Sequence, residues 1–262
     1  HIHEAWAHMK RGHYKTEAVV LNAFDYGESD VIVSLCTRDF GKIKGIAKGG
    51  RRSKKRFVAT LSPLARIDLH FHHSERSDLN RLEDSKLIDG FNALKTDIER
   101  VSIGSYFLEL TDEMTREGEP APELFELLTG FLRMIENTEK PANVARFFEI
   151  RMLSLLGFMP VLDGCVVCNK SSNGERGYFN SERGGLVCKA CAVGVRNLIP
   201  ISMGTAGFLS TASKFSIEKL SRLQPSDSLV SEGERVLGDF IRHQTGKELK
   251  TKRFMESLKA AF

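Results

Sequence analysis

The chain has 262 residues, 41% of them apolar and 27% charged, with a formal net charge of +4. That composition supports one or two packed domains and excludes a disordered chain or a fold that depends on disulfides. There is no run of about eighteen apolar residues to make a transmembrane helix and no basic-then-apolar leader, so a cytoplasmic protein without membrane association is expected.

Residues 1–13 read as a tag remnant and an N-terminal arm, with His8-Met9 as the junction and Met9 as the natural start. His3-Glu4 and His8 miss the zinc-protease spacing by one residue, so a helix cannot put both imidazoles on one face. From 14 to 91 the pattern is strand-like. Runs at 17–21, 30–36, 41–49, 64–71 and 79–88 are β-branched or alternate at period two, punctuated by Gly27, Gly41, Gly49-Gly50 and Pro63. Five short strands in this span predict a small closed barrel, and the OB-fold is the commonest five-stranded candidate.

After Phe91 the period becomes helical. A helix over 98–117 precedes an apolar stripe of Leu124, Leu127, Leu128, Phe131, Leu132 and Ile135. A third helix over 142–156 stops at Gly157 and Pro160. Helical patterns resume after Met203, with Val230, Leu237 and Ile241 on one stripe. The intervening segment 163–196 is rich in Gly, Ser, Asn and Cys and poor in either period. The expected fold class is α+β and multidomain: an OB-fold barrel over 14–91, an all-helical domain over 92–262, and a zinc module over 163–196 inserted in the helical domain.

Four of the five cysteines carry the sharpest chemical signal. Cys165, Cys168, Cys188 and Cys191 form the pattern Cys-x2-Cys-x19-Cys-x2-Cys, the spacing of a zinc ribbon or knuckle. A two-residue gap lets one tight turn present two thiolates, and two such turns complete a tetrahedron around one structural Zn2+ per chain. The residues between, 177–180 and 184–187, read as a hairpin turning at 181–183. Lys170 and Lys189 are placed to offset the thiolate charge. With all four positions filled, the metal has no open site for Lewis-acid chemistry. A redox dithiol and an iron–sulfur cluster are the other readings. Cys36, alone on a strand, reads as a small buried hydrophobe, and His70 and His72 as exposed strand histidines without a third ligand.

The second signal is charge. Lys42, Lys44, Lys48, Arg51, Arg52, Lys54, Lys55 and Arg56 fall within fifteen residues that contain no acid. On a barrel, such a segment suits the phosphate backbone of a single strand, with binding that weakens steeply in salt. Phe24, Tyr26, Phe40, Phe57 and Phe71 are candidate stacking platforms; Phe57, directly after the basic run, is the one expected to be exposed. A weaker basic patch, Lys247, Lys250, Lys252 and Arg253, forms a possible secondary DNA contact. No phosphate loop, dinucleotide fingerprint, serine-nucleophile elbow or HExxH occurs, so no enzyme is expected.

Several segments together resemble the RecO family. They are Glu17-Ala18-Val19-Val20-Leu21 with Tyr26-Gly27-Glu28-Ser29-Asp30, Phe40-Gly41-Lys42-Ile43 with Ala47-Lys48-Gly49-Gly50-Arg51-Arg52, and Leu155-Leu156-Gly157-Phe158-Met159-Pro160 leading into the cysteines. Gly184-Gly185-Leu186-Val187-Cys188 and the tail from Gly246 to Phe254 complete the series. The resemblance implies an N-terminal OB-fold, a helical domain with a zinc module, and a mediator of DNA repair and recombination in the RecF pathway. It implies single-stranded DNA, RecR and the C-terminal tail of SSB as partners, RecA indirectly, and a nucleoid-associated bacterial location. The rival readings are an RNA-binding OB protein with a zinc ribbon and, behind it, a zinc-dependent nuclease.

Overall fold

The computed structural model describes residues 9–53, 55–171 and 176–261. The tag reading and the His3–His8 near-motif therefore lie outside the described residues, as does Lys54.

Five strands come first: β1 (Gly12–Tyr26), β2 (Asp30–Thr37), β3 (Gly41–Ala47), β4 (Arg66–His73) and β5 (Asn80–Asp89). They form a closed barrel in the order β1-β2-β3-β5-β4. All neighbours are antiparallel except β3 and β5, which run parallel where Gly45 meets Asn80 and Ile46 meets Arg81. Closure depends on β1, which pairs with β4 through its first half and β2 through its second. A bulge between Val20 and Asn22 bends it from one partner to the other. Alternate residues Ile67, Leu69 and Phe71 point inward with Val33, Leu35, Ile43 and Leu82, all of them fully buried. Each such side chain contributes about 1.5–3 kcal/mol of burial.

Helices follow: α1 (Ile98–Met114), α2 (Pro122–Asn137) and α3 (Pro141–Leu155). Asp97 caps α1, its carboxylate accepting from the Glu99 and Arg100 amides at 2.8 and 3.1 Å. The sequence extends α1 to 117, but Thr115 is already extended and Glu117 bridges to Lys42 of β3. The six-residue stripe on α2 is buried as expected. Gly157, at φ +78°, ends α3 in a Schellman turn: the Phe158 amide donates to the Leu153 carbonyl and the Gly157 amide to that of Ser154.

Strands β6 (Arg176–Asn180), β7 (Gly185–Val187) and β8 (Ile199–Ser202) form a second sheet in the order β7-β6-β8. The first two are the expected hairpin; β8 is a third strand, hidden by its shortness and by Pro200 at an edge position. The chain ends with α4 (Met203–Ala212), α5 (Ile217–Leu220), α6 (Asp227–Thr245) and α7 (Lys250–Ala261).

The chain divides into two compact units, one of residues up to 137 together with those from 249 onward, the other of 138–248. This differs from a division at residue 91. The reason is side-chain commitment: α1 reaches the barrel through Asp112, which accepts from Ser34 at 2.8 Å and pairs with Lys42 at 2.9 Å. Glu109 of α1 caps α7, accepting from the Lys250 and Thr251 amides at 2.9 and 2.8 Å. Helices α1, α2 and α7 thus belong with the barrel, and α3 to α6 with the small sheet.

Candidate metal centre and nucleic-acid interface

The first cysteine pair sits on a turn closed by the Asn169 amide donating to the Cys165 carbonyl at 2.8 Å, with Asn169 left-handed at φ +56°. The second is a similar turn, with the Cys191 and Ala192 amides donating to the Cys188 carbonyl at 3.0 Å each. Gly185 brings the two turns together. A Cβ there would lie 2.6 Å from the Val161 carbonyl oxygen and 2.8 Å from Val166 Cγ1, so only glycine admits this approach. The Val161 amide then donates to the Gly184 carbonyl and the Leu186 amide to the Val161 carbonyl, each at 2.9 Å, and the Val166 amide donates to the Leu186 carbonyl at 2.8 Å.

All four sulfurs lie within 4.8 Å of one another. Cys168 Sγ and Cys188 Sγ are 3.9 Å apart, close to the edge of about 3.8 Å that Zn–S bonds of ~2.3 Å give in a tetrahedron. A disulfide would need ~2.05 Å, and the cysteines are unbridged. Burial opposes ionisation of Cys165, yet the backbone amides of Cys188, Cys168 and Val167 outweigh it and lower its pKa to about 6. Cys191 is pushed up to about 12, because it bonds to the Cys188 and Cys168 sulfurs beside a charged Cys165. Four close sulfurs ionise together only around a cation, so the donor set fits a metal ion. Cys36 is buried, and desolvation pushes its thiol up to about 12; it is the inert hydrophobe expected.

The structure divides the basic segment. Lys42 is removed from the set of candidate phosphate contacts: its side chain is only 11% exposed, paired with Asp112 and bonded to the Asp112 and Thr115 carbonyls. It docks α1. Lys44 pairs with Glu117 at 2.6 Å, Lys48 with Asp30 at 2.9 Å and Arg51 with Asp25 at 3.3 Å. Arg56 folds back to the Lys48 carbonyl at 2.8 Å and lies over the Phe57 ring. Arg52 and Lys55 are exposed and form no ion pair among the described residues. The acids that neutralise the segment come from outside it: Asp25 of β1, Asp30 of β2, Asp112 of α1 and Glu117 after α1.

Phe57 is corrected outright. It is 4% exposed and packs into the barrel core, where Phe71 also lies with Phe40 against it. Of the candidate stacking residues, the exposed ones are Phe24 and Tyr26, at 53% and 54%. The bulge in β1 decides this, since it resets which alternate residues face outward. In the weaker patch, Lys247 falls in the second unit and Lys250, Lys252 and Arg253 in the first.

The segment 9–91 matches the family model described as Recombination protein O N terminal, and 95–253 matches Recombination protein O C terminal. The chain belongs to the RecO family. Relatives named DNA repair protein RecO include that of Syntrophus aciditrophicus, 38% identical over 95% of this chain and 97% of its own. Those of Syntrophobacter fumaroxidans and Myxococcus xanthus are 35% and 34% identical, each over 92% of this chain and 96% of their own. The RecO N-terminal match holds the barrel and its basic segment; the RecO C-terminal match holds the four cysteines and helices from both compact units. No described helix is long and apolar enough to cross a membrane.

Proposed function

We propose that this RecO-family chain is a non-enzymatic DNA-repair and recombination mediator that binds single-stranded DNA and anneals complementary strands. With RecR it helps load RecA onto SSB-coated DNA, engaging the SSB tail, as a cytoplasmic, nucleoid-associated protein. The observation that carries the reading is the basic segment on the small barrel, where Arg52 and Lys55 are exposed and form no ion pair among the described residues. The strand order β1-β2-β3-β5-β4, with its single parallel pair, supports reading the barrel as an OB-fold. Its phosphate contacts are Lys44, Lys48, Arg51, Arg52, Lys54, Lys55 and Arg56, with Lys247, Lys250, Lys252 and Arg253 secondary. Cations held close to two strands lower their mutual repulsion and raise their local concentration, which accelerates annealing without bond chemistry.

Cys165, Cys168, Cys188 and Cys191 would hold one structural zinc that staples the segment around β6 and β7. The test is annealing of SSB-coated complementary strands by the intact protein and by one with Arg51, Arg52, Lys54, Lys55 and Arg56 changed to Ala. Rapid annealing, abolished in the variant, is the expected result. No annealing by the intact zinc-loaded protein overturns the reading.

A further inference from the structure

Besides its basic side chains, the barrel carries an apolar row that the reading above does not use. Phe24 of β1 faces Ile32 of β2, Ile32 faces Ile46 of β3, and Ile46 faces Arg81 of β5. Partners in register share a face, and Val31, Val33 and Leu35 occupy the inner one. The row therefore belongs to the outer face of the barrel, where Ile32 is buried and Ile46 half-buried, and the open part is Phe24 with Tyr26 two residues beyond it on the same face. Both aromatics are half exposed, although burial is the usual fate of such rings.

The basic segment is tied to this row. The Arg51 amide donates to the Ser29 carbonyl at 3.0 Å and the Gly49 amide to Asp30 Oδ1 at 2.8 Å, anchoring the 3-10 turn Gly50–Arg52 to the β1–β2 hairpin. Of the acids here, Asp25 and Asp30 are already taken by Arg51 and Lys48, and Glu28 stands exposed in the hairpin turn. Arg81 is exposed at the far end of the row and forms no ion pair among the described residues. Unpaired cations therefore flank an aromatic face.

We infer that Phe24 and Tyr26 are a stacking platform for two unpaired nucleobases, with Arg52 and Arg81 gripping the adjoining phosphates. This rests on the single-strand reading above and specifies the bases' site within it. Residues two apart on a strand lie about 7 Å apart, roughly twice the ~3.4 Å spacing of bases along a stacked strand. A strand lying on both rings must be drawn out of its stack, which a duplex resists. The platform therefore selects single strands, and it tolerates any sequence because every base has a π-face.

The experiment compares a 20-mer of deoxythymidine with an abasic 20-mer of equal charge, titrated against the full zinc-loaded chain. The intact protein should bind the base-bearing strand at least tenfold tighter. Phe24→Leu/Tyr26→Leu, which keeps apolar bulk, should lose about tenfold per ring on that strand alone, with the salt slope of binding unchanged. Phe24→Trp should show indole fluorescence quenched by the base-bearing strand and not by the abasic one. Equal affinity of the intact protein for both strands, or a Leu variant that keeps the preference, overturns the platform while leaving the DNA reading intact. Failure of the intact protein to bind either strand overturns both.

Discussion

At the scale of single residues, the molecule depends on a few close backbone approaches. Gly41 opens β3 at φ +64°, and a Cβ there would lie 1.8 Å from the Glu119 carbonyl oxygen. Gly27 is also left-handed, at φ +60°, but has open space around it. Gly41→Ala should therefore cost more than about 3 kcal/mol, and Gly27→Ala only the 1–2 kcal/mol of left-handed strain. Urea midpoints of the two variants check the contrast. Glu232 gives a pH signature. Burial works against its charge, but the Ser202 hydroxyl and amide and the Thr205 hydroxyl donate to it and hold its pKa below 4.5. A depressed folded pKa means stability that is present above pH 4.5 and lost as pH falls through the folded value. Glu232→Gln should be less stable than the parent at pH 7, and the gap should narrow as the pH falls below 4.5 and the carboxylate is protonated. A gap that persists in acid would assign the loss to packing instead.

Among elements, the small sheet and its cysteine turns have the most to lose. The zinc reading makes metal binding a folding energy of about 10–16 kcal/mol for such sites. Stripping zinc with a strong chelator, or Cys168→Ser, should lower bound zinc from one per chain and expose the β6 and β7 amides to hydrogen exchange. The barrel amides should stay protected, since the cysteines lie in the other compact unit. Within α3, Arg146 and Glu149 form a nearly inaccessible ion pair at 2.7 Å. Glu149→Ala should cost about 3–5 kcal/mol by leaving the guanidinium buried without its carboxylate, which thermal unfolding of the variant would show.

For the whole molecule, the unexpected feature is the route of the chain. It leaves the barrel unit after α2, builds the second unit, and returns at Leu249 to place α7 on α1. The Glu109 cap fixes that return. Deleting residues 249–262 should destabilise the barrel unit, seen as faster exchange in α1, while β6 to β8 remain protected. The opposite pattern would place α7 with the second unit.

Local chemistry explains what was legible from the sequence alone. Period-two runs marked the barrel strands, the six-residue stripe marked α2, and the two Cys-x2-Cys turns marked a metal-binding set, because spacing and side-chain type are enough for each. The sequence of Phe40-Gly41-Lys42-Ile43, the Gly49-Gly50 turn and the cysteines was also enough to point to the RecO family. Long-range pairing was not legible. Whether Lys42 meets phosphate or Asp112 depends on an acid seventy positions away, and whether Phe24 meets water depends on a one-residue bulge. Only the tertiary structure decides those, because a charged side chain's availability is set by what it pairs with and a ring's exposure by the register that carries it.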